Sequence, residues 1–221
     1  MIPERFCTQI PQRMWSLINA MEPIAREKDL LTSFALMAAM PILIIPLERV
    51  AKKDASGKNE INDLHVAPRF AADWGQKRRE KFVNAFVPNR EDRSKWRYLV
   101  IPRNQIERPS AWKDALGRHP MHPGAVNEIT EQDVENVLLV MRHGLAHGSI
   151  VYLDEDGNEN PFRRVTHLGF VARAQGKDRG SATSFRVLIV EQEAFLSFLK
   201  RWTDWIGGYE VASSLGTMFA A

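Results

Sequence analysis

A single cysteine, Cys7, stands in a chain of 221 residues. An intrachain disulfide is therefore impossible, and a zinc site built on paired thiolates is excluded. The sequence also has no phosphate-cradling Walker motif, no Gly-x-Ser-x-Gly elbow and no dinucleotide fingerprint. These absences remove the commonest nucleotide-hydrolysing, serine-esterase and nicotinamide-dependent designs. Internal repeats and low-complexity tracts are missing too. Glu4 and Arg5 lead into no apolar stretch of the signal-peptide kind, so a cytoplasmic location is expected.

Charge of one sign is also scarce overall. The formal net charge is +3, with 26% charged and 44% hydrophobic residues, ordinary values for a globular protein. The distribution is uneven. Residues 69–108 hold eleven basic and five acidic side chains, a local +6, which leaves −3 for the rest. A phosphate-bearing ligand is drawn to that middle segment. Lys77, Arg78 and Arg79 in that segment are accordingly candidate substrate contacts, although a basic run on a helix is ordinarily just a solvated face, and Arg49, at the end of the hydrophobic helix, is a candidate second phosphate contact.

Leu30 to Leu47 carries no charge and has about the minimum length for a membrane span. Thr32, Ser33, Pro41 and Pro46 interrupt it, and interfacial Trp or Tyr anchors are lacking. It is expected to be a central helix, hydrophobic all round because other helices surround it, and no membrane association is expected.

Periodicity sets out the remaining elements. A first helix is expected from Pro11 to Arg26, on Met14, Leu17, Ile18, Met21 and Ala25. Residues 54–59 form a polar break. A third helix is expected from Pro68 to Phe86, with Phe70, Trp74, Phe82 and Phe86 on one stripe. Trp96 to Ile101 reads as a strand or a buried extended segment, and Pro102 to Asn127 as irregular. The pattern Thr130-Glu131-Gln132-Asp133 resembles a capping box. The helix it opens has Val134, Leu138, Met141 and Leu145 on one face and stops at Gly148. Ile150 to Leu153, Arg164 to Ala172 and Ser184 to Val190 read as a three-stranded antiparallel meander. A last helix begins near Glu191, presents Phe195, Phe198, Leu199, Trp202, Trp205 and Ile206, and is expected to end at Gly207-Gly208. The expected architecture is mainly α: about five helices in one domain, 1–221, with a small β insertion at 150–190 before the last helix.

Chemistry concentrates in Met141-Arg142-His143-Gly144-Leu145-Ala146-His147-Gly148. A permanent cation and two imidazoles interrupt an otherwise apolar helix, where an unpaired guanidinium would be costly to bury. Arg142 and His147 lie roughly 7–8 Å apart along an ideal helix axis, within reach of one phosphodiester if the glycines loosen the helix end. Breaking a phosphodiester without a metal needs a group to take the proton of the attacking hydroxyl, and a histidine titrating near neutrality suits that task. It also needs fixed positive charge for the developing phosphorane, which arginine supplies through paired donors.

The segment resembles the Arg-x4–6-His signature of HEPN domains (higher eukaryotes and prokaryotes nucleotide-binding). Arg142, the polar His143 that follows it, His147 and Gly148 match four features of that signature. The resemblance implies a HEPN-like helical bundle, a homodimer with a composite RNA-cleaving cleft, and no cofactor or metal. It implies that His147 acts as general base or acid, that Arg142 stabilises the phosphate, and that His143 orients one of them. Products would carry a 2′,3′-cyclic phosphate. Many bacterial members are toxins or defence effectors, so an antitoxin partner is an expectation by analogy.

Other readings stay open at this point. His143 and His147 share a helix face and could ligate a metal with His119 and His122, although no acidic residue lies between them. Arg142 could instead pair with a buried carboxylate while the histidines cap the helix. HEPN-like domains also occur as catalytically silent RNA- or protein-binding modules. Asp154-Glu155-Asp156-Gly157 is read as a hairpin turn rather than a calcium loop. Arg163, Arg164, Arg173, Lys177 and Arg179 are the basic contacts expected if the meander binds RNA.

Overall fold

The computed structural model describes residues 6–51, 68–174 and 184–218. The chain divides into two compact units, residues 1–78 with 196–221, and residues 79–195. The protein is mixed α/β, 57% helical, with a four-stranded antiparallel sheet.

The first unit opens with helix α1, Phe6–Glu27, longer at its start than the periodicity predicts. It ends where Asp29 adopts a left-handed conformation (φ 55°) and the Leu30 N–H reaches back to the Ala25 carbonyl at 2.8 Å. Asp tolerates that conformation better than most residues, which makes a tight helix stop possible without glycine. Helix α2, Leu31–Ala39, follows and widens into π-helical turns at Met40–Ile44 and Leu47–Ala51. Pro41 and Pro46 lie within this widened stretch, and each lacks the N–H that a regular α-helical turn uses. The Ile42 carbonyl accepts a hydrogen bond from Trp202 Nε1 at 2.9 Å.

The expectation of a helix buried all round is corrected. Met37 is 73% exposed and Met40 46% exposed, and about half of the apolar stretch is buried. Leu31–Arg49 remains long and apolar enough, by length and composition, to cross a membrane.

The expected third helix is two. Helix α3 covers Pro68–Lys77 and helix α4 covers Phe82–Phe86. The break arises from partners distant in sequence. The Phe82 N–H bonds to the Gln132 carbonyl and the Val134 N–H to the Glu80 carbonyl, both at 2.9 Å, so residues 80–82 are held as a bridge. In the first unit α3 contributes Phe70 and Trp74 to an aromatic cluster with Trp202, Trp205 and Tyr209. Those three sit on helix α7, Gln192–Met218. This helix runs straight through Gly207-Gly208, where a stop was expected. The Gln12 side chain of α1 lies against Gly207 and donates to the Thr203 carbonyl at 2.7 Å. The glycine therefore marks a close approach between helices, not an end.

The second unit is built on the sheet. Strand β1 is Trp96–Pro102, β2 Ile150–Leu153, β3 His167–Arg173 and β4 Ser184–Glu191, in the order β1-β4-β3-β2. The meander is thus joined by a fourth strand from outside 150–190, with Trp96 opposite Val190 and Ile101 opposite Phe185. Asn127 covers β1's free edge: it accepts from the Tyr98 N–H and donates to the Trp96 carbonyl. Such a cover removes a sticky edge.

Both faces of the sheet are buried, which explains the unbroken apolar runs in β3 and β4. On one face Leu99, Ile101, Leu153, Val187 and Ile189 pack with Trp112. Gly169 leaves room there for the Trp112 indole, since a Cβ would lie 3.2 Å from it and 2.6 Å from Val151. The irregular segment carrying Trp112 is organised by Asp114, whose carboxylate accepts from the Leu116, Arg118 and Val126 N–H groups. These backbone bonds, Val126 first, hold its pKa below the usual carboxylate range. Helix α6, Val134–His147, covers the other face and places Gly144 against Phe170.

Candidate functional site

Helix α6 carries the histidine pair. Its expected apolar face is found: Val134, Leu138, Met141 and Leu145 are all buried. Its start differs, because residues 129–131 form a 3-10 turn and the helix begins only at Val134. The side chain of Asp133 caps nothing. It pairs with Lys81 Nζ at 3.0 Å instead, and the Glu80 carbonyl takes the Val134 N–H that a capping box leaves unused. The stop at Gly148 is as the sequence predicts, with φ 66° and N–H groups of residues 148 and 149 both directed to the Gly144 carbonyl.

The helix does not loosen at its glycines. It stays regular through His147. Gly144 is buried, and a Cβ there would stand 2.9 Å from the Phe170 ring and 3.3 Å from the Ser149 carbonyl oxygen. Its small size brings the last turn of α6 onto β3.

That contact decides where the histidines point. His143 and His147 sit four residues apart, so they share a face; their ring centroids are 5.6 Å apart and tilted by 45°. Both line an open cavity of about 510 Å³ with Ser149, Val171, Ala172, Arg173 and Phe185. The cavity lies where β2 stops. Strand β2 begins at Ile150 opposite Phe170, and Ser149 extends the pairing by one bond, Val171 N–H to the Ser149 carbonyl at 3.0 Å. Beyond it the β2 side of Ala172 and Arg173 forms a notch, which the end of α6 overhangs.

His143 is half-buried and His147 exposed. Burial pushes the His143 pKa below its ordinary 6.5, and the charges of Arg142 and His147 push the same way. His143 is therefore held neutral near pH 7, the state in which an imidazole accepts a proton. No carboxylate is among the described lining residues. The cavity also sits at the carbonyl end of α6, where the helix dipole repels an anion by roughly 0.3–1 kcal/mol. A phosphate bound there needs arginine, and Arg173 is the arginine among the described wall residues.

Arg142 is not on that wall. It stands five positions before His147, with four residues between them, so the two point about 140° apart around the helix. Arg142 is half-buried and near enough to His143 to act on its titration. Of the other expected contacts, Arg49, Lys77 and Arg78 belong to the first unit. Arg79 belongs to the second unit, where it is exposed and lies outside the cavity wall. The basic middle segment is partly consumed in structure: Lys81 pairs with Asp133 and Lys95 with Asp92. Arg97 lies in the sheet, where burial lowers its pKa.

His119 and His122 do not complete a metal site with the helix pair. No group of three metal-binding side chains occurs among the described residues. The nitrogens Nδ1 of His119 and of His122 accept backbone N–H groups of Met121 and Gly124. Asp154 likewise accepts from the Asp156 and Asn158 N–H groups, so this segment is a turn held by its own side chain. Arg163 is tied to Asp156 at 2.6 Å. Lys177 and Arg179 lie outside the described residues.

Ser149, Val171, Ala172 and Phe185 are cavity residues that the sequence does not announce. Arg173 enters it only as one of five meander cations. No family model, no curated protein and no solved structure matches the chain.

Proposed function

We propose that this chain is a metal-independent endoribonuclease of the HEPN type, acting as a homodimer, with its chemistry at the end of α6. The observation that carries the reading is the pair of imidazoles, 5.6 Å apart, on one wall of a cavity that also holds an arginine. The signature Arg142-His143…His147-Gly148 supports it from the sequence side. In this reading the sheet is an elaboration that backs the motif helix.

The roles follow from the electrostatics. His143, kept neutral by burial, takes the proton from the ribose 2′-OH. The 2′-oxygen attacks phosphorus, and the bond to the 5′-oxygen breaks. His147, the exposed partner, gives a proton to that leaving oxygen. The products are a 2′,3′-cyclic phosphate and a 5′-hydroxyl, and water returns the proton from His143 to His147. Arginine stabilises the phosphorane charge. The base role expected for His147 thus moves to His143, and His147 keeps the acid role. A place as toxin or defence effector, with an antitoxin as partner, belongs to the same proposal by analogy.

A second reading is a catalytically silent RNA- or protein-binding module. It is favoured by one observation: Arg142 is absent from the cavity wall of its own protomer. In the enzyme, Arg142 acts across a dimer at the composite cleft. Mixing Arg142→Ala and His147→Ala protomers separates the two readings. Each variant alone is inactive and the mixed dimers recover activity if the cleft is composite; a silent module cleaves in no combination. Chemistry through the 2′-OH is checked with an RNA carrying a 2′-deoxy sugar at the cleavage site, which must resist cleavage.

A further inference from the structure

Arg173 and Phe185 face each other across the β3–β4 ladder, as direct partners in the register. Both line the cavity, and the register places them together on the sheet face that packs Trp112. Arg173 is exposed, and no carboxylate among the described residues pairs with it. Phe185 is only half-buried: one part packs against the Trp112 core cluster and the rest faces the cavity. An aromatic ring beside an exposed guanidinium is the minimal equipment for a nucleotide, a platform for the base and a charge for the phosphate. The space of about 510 Å³ falls within the range of small-ligand sites.

We propose that the end of the sheet forms a one-nucleotide subsite, with Phe185 stacking an unpaired base and Arg173 holding the adjoining phosphate. The ribose then faces His143 and His147 across the notch. This subsite rests on the ribonuclease reading for its consequence, which is substrate choice. A base inside a duplex cannot leave its stack to lie on Phe185 without the cost of unpairing, so the subsite selects a looped-out or single-stranded nucleotide. Phe185 and Arg173 are positioning and specificity residues, and they transfer no proton.

The test measures binding directly, by calorimetry with the full chain and three probes: uridine 3′-monophosphate, uridine and inorganic phosphate. The nucleotide must bind tighter than either part. Phe185→Leu, which keeps an apolar side chain against the Trp112 cluster, is expected to weaken nucleotide binding about 5- to 150-fold, the usual worth of one stacked base. It leaves phosphate binding unchanged, and Phe185→Tyr restores the nucleotide. Arg173→Gln weakens the nucleotide and phosphate but not uridine, and lowers the salt dependence by about one counterion. Nucleotide binding no tighter than phosphate, or unaltered in both variants, overturns the subsite. The two proposals fail separately. Cleavage that needs His147 but not Phe185 leaves the nuclease and removes the subsite. Phe185-dependent binding without cleavage leaves the subsite and removes the nuclease.

Discussion

Replacing Gly144 by alanine sets two measurable effects against each other. In an exposed helix interior the change stabilises by about 1 kcal/mol, because alanine loses less backbone freedom. Gly144 is not exposed. The new methyl would stand 2.9 Å from Cδ1 and 3.3 Å from Cβ of Phe170, and 3.3 Å from the Ser149 carbonyl oxygen. Phe170 cannot retreat easily, since it is fully buried and packs on Phe195 with ring centroids 5.5 Å apart. Two of the three contacts are a side-chain base and a backbone oxygen, so α6 itself must move. Overpacking of this kind costs roughly 1–3 kcal/mol. The net expectation is a loss of about 1 kcal/mol, or some 2–4 °C in Tm for a chain of this size. Scanning calorimetry reads the stability, and the cleavage assay reads the accompanying shift of His143 and His147. A Gly144→Ala protein more stable than the wild type would refute the reasoning, because propensity would then have outweighed the contact with β3.

Other consequences are as direct. Gly169→Ala puts a methyl 2.6 Å from Val151 Cγ2 and 3.2 Å from the Trp112 ring, so a loss of roughly 1–3 kcal/mol is expected in urea unfolding, with altered Trp112 fluorescence; an unchanged midpoint contradicts it. His143 and His167 are both held below the ordinary 6.5, chiefly by burial, despite Glu191 and Asp154 pulling His167 the other way. The unfolded chain then binds more protons below 6.5, so their contribution to stability is complete above that pH and shrinks as pH falls through the folded values. Urea midpoints at pH 7.5 and 5 should therefore converge in His143→Gln and His167→Gln relative to the wild type, and an identical acid loss in all three proteins counts against the burial argument. Asp114→Ala removes the acceptor for three backbone N–H groups, so amide exchange at Leu116, Arg118 and Val126 should accelerate while the β3 amides stay protected. Uniform protection in that segment would show that Asp114 does not organise it.

What the sequence discloses and what it hides divide along the range of the interactions. The apolar face of α6 and its stop at Gly148 depend on residues within a few turns, and both are found where the pattern puts them. The break between α3 and α4 depends on hydrogen bonds from residues 80–82 to residues 132–134, about fifty positions away, and no local signal carries it. Pairing of β1 with β4 spans some ninety residues, so a segment legible as extended could not be assigned to the sheet. Gly207 reads as a helix end by composition, yet Gln12 from the other end of the chain explains it. The site follows the same division. His143 and His147 are visible as a spaced pair, while Ser149 and Phe185 join them only through the strand register. Arg142 looks equivalent to the histidines in sequence, and helix geometry turns it away.

The central claim is tested most directly by incubating the purified protein with a mixed RNA substrate in EDTA, beside His143→Gln and His147→Gln proteins of unchanged Tm. Wild-type cleavage leaving 2′,3′-cyclic phosphate ends, slowed about 10²- to 10⁴-fold by either substitution, is the predicted result. Cleavage by both variants at the wild-type rate, or none by a folded, dimeric wild type, would contradict the account.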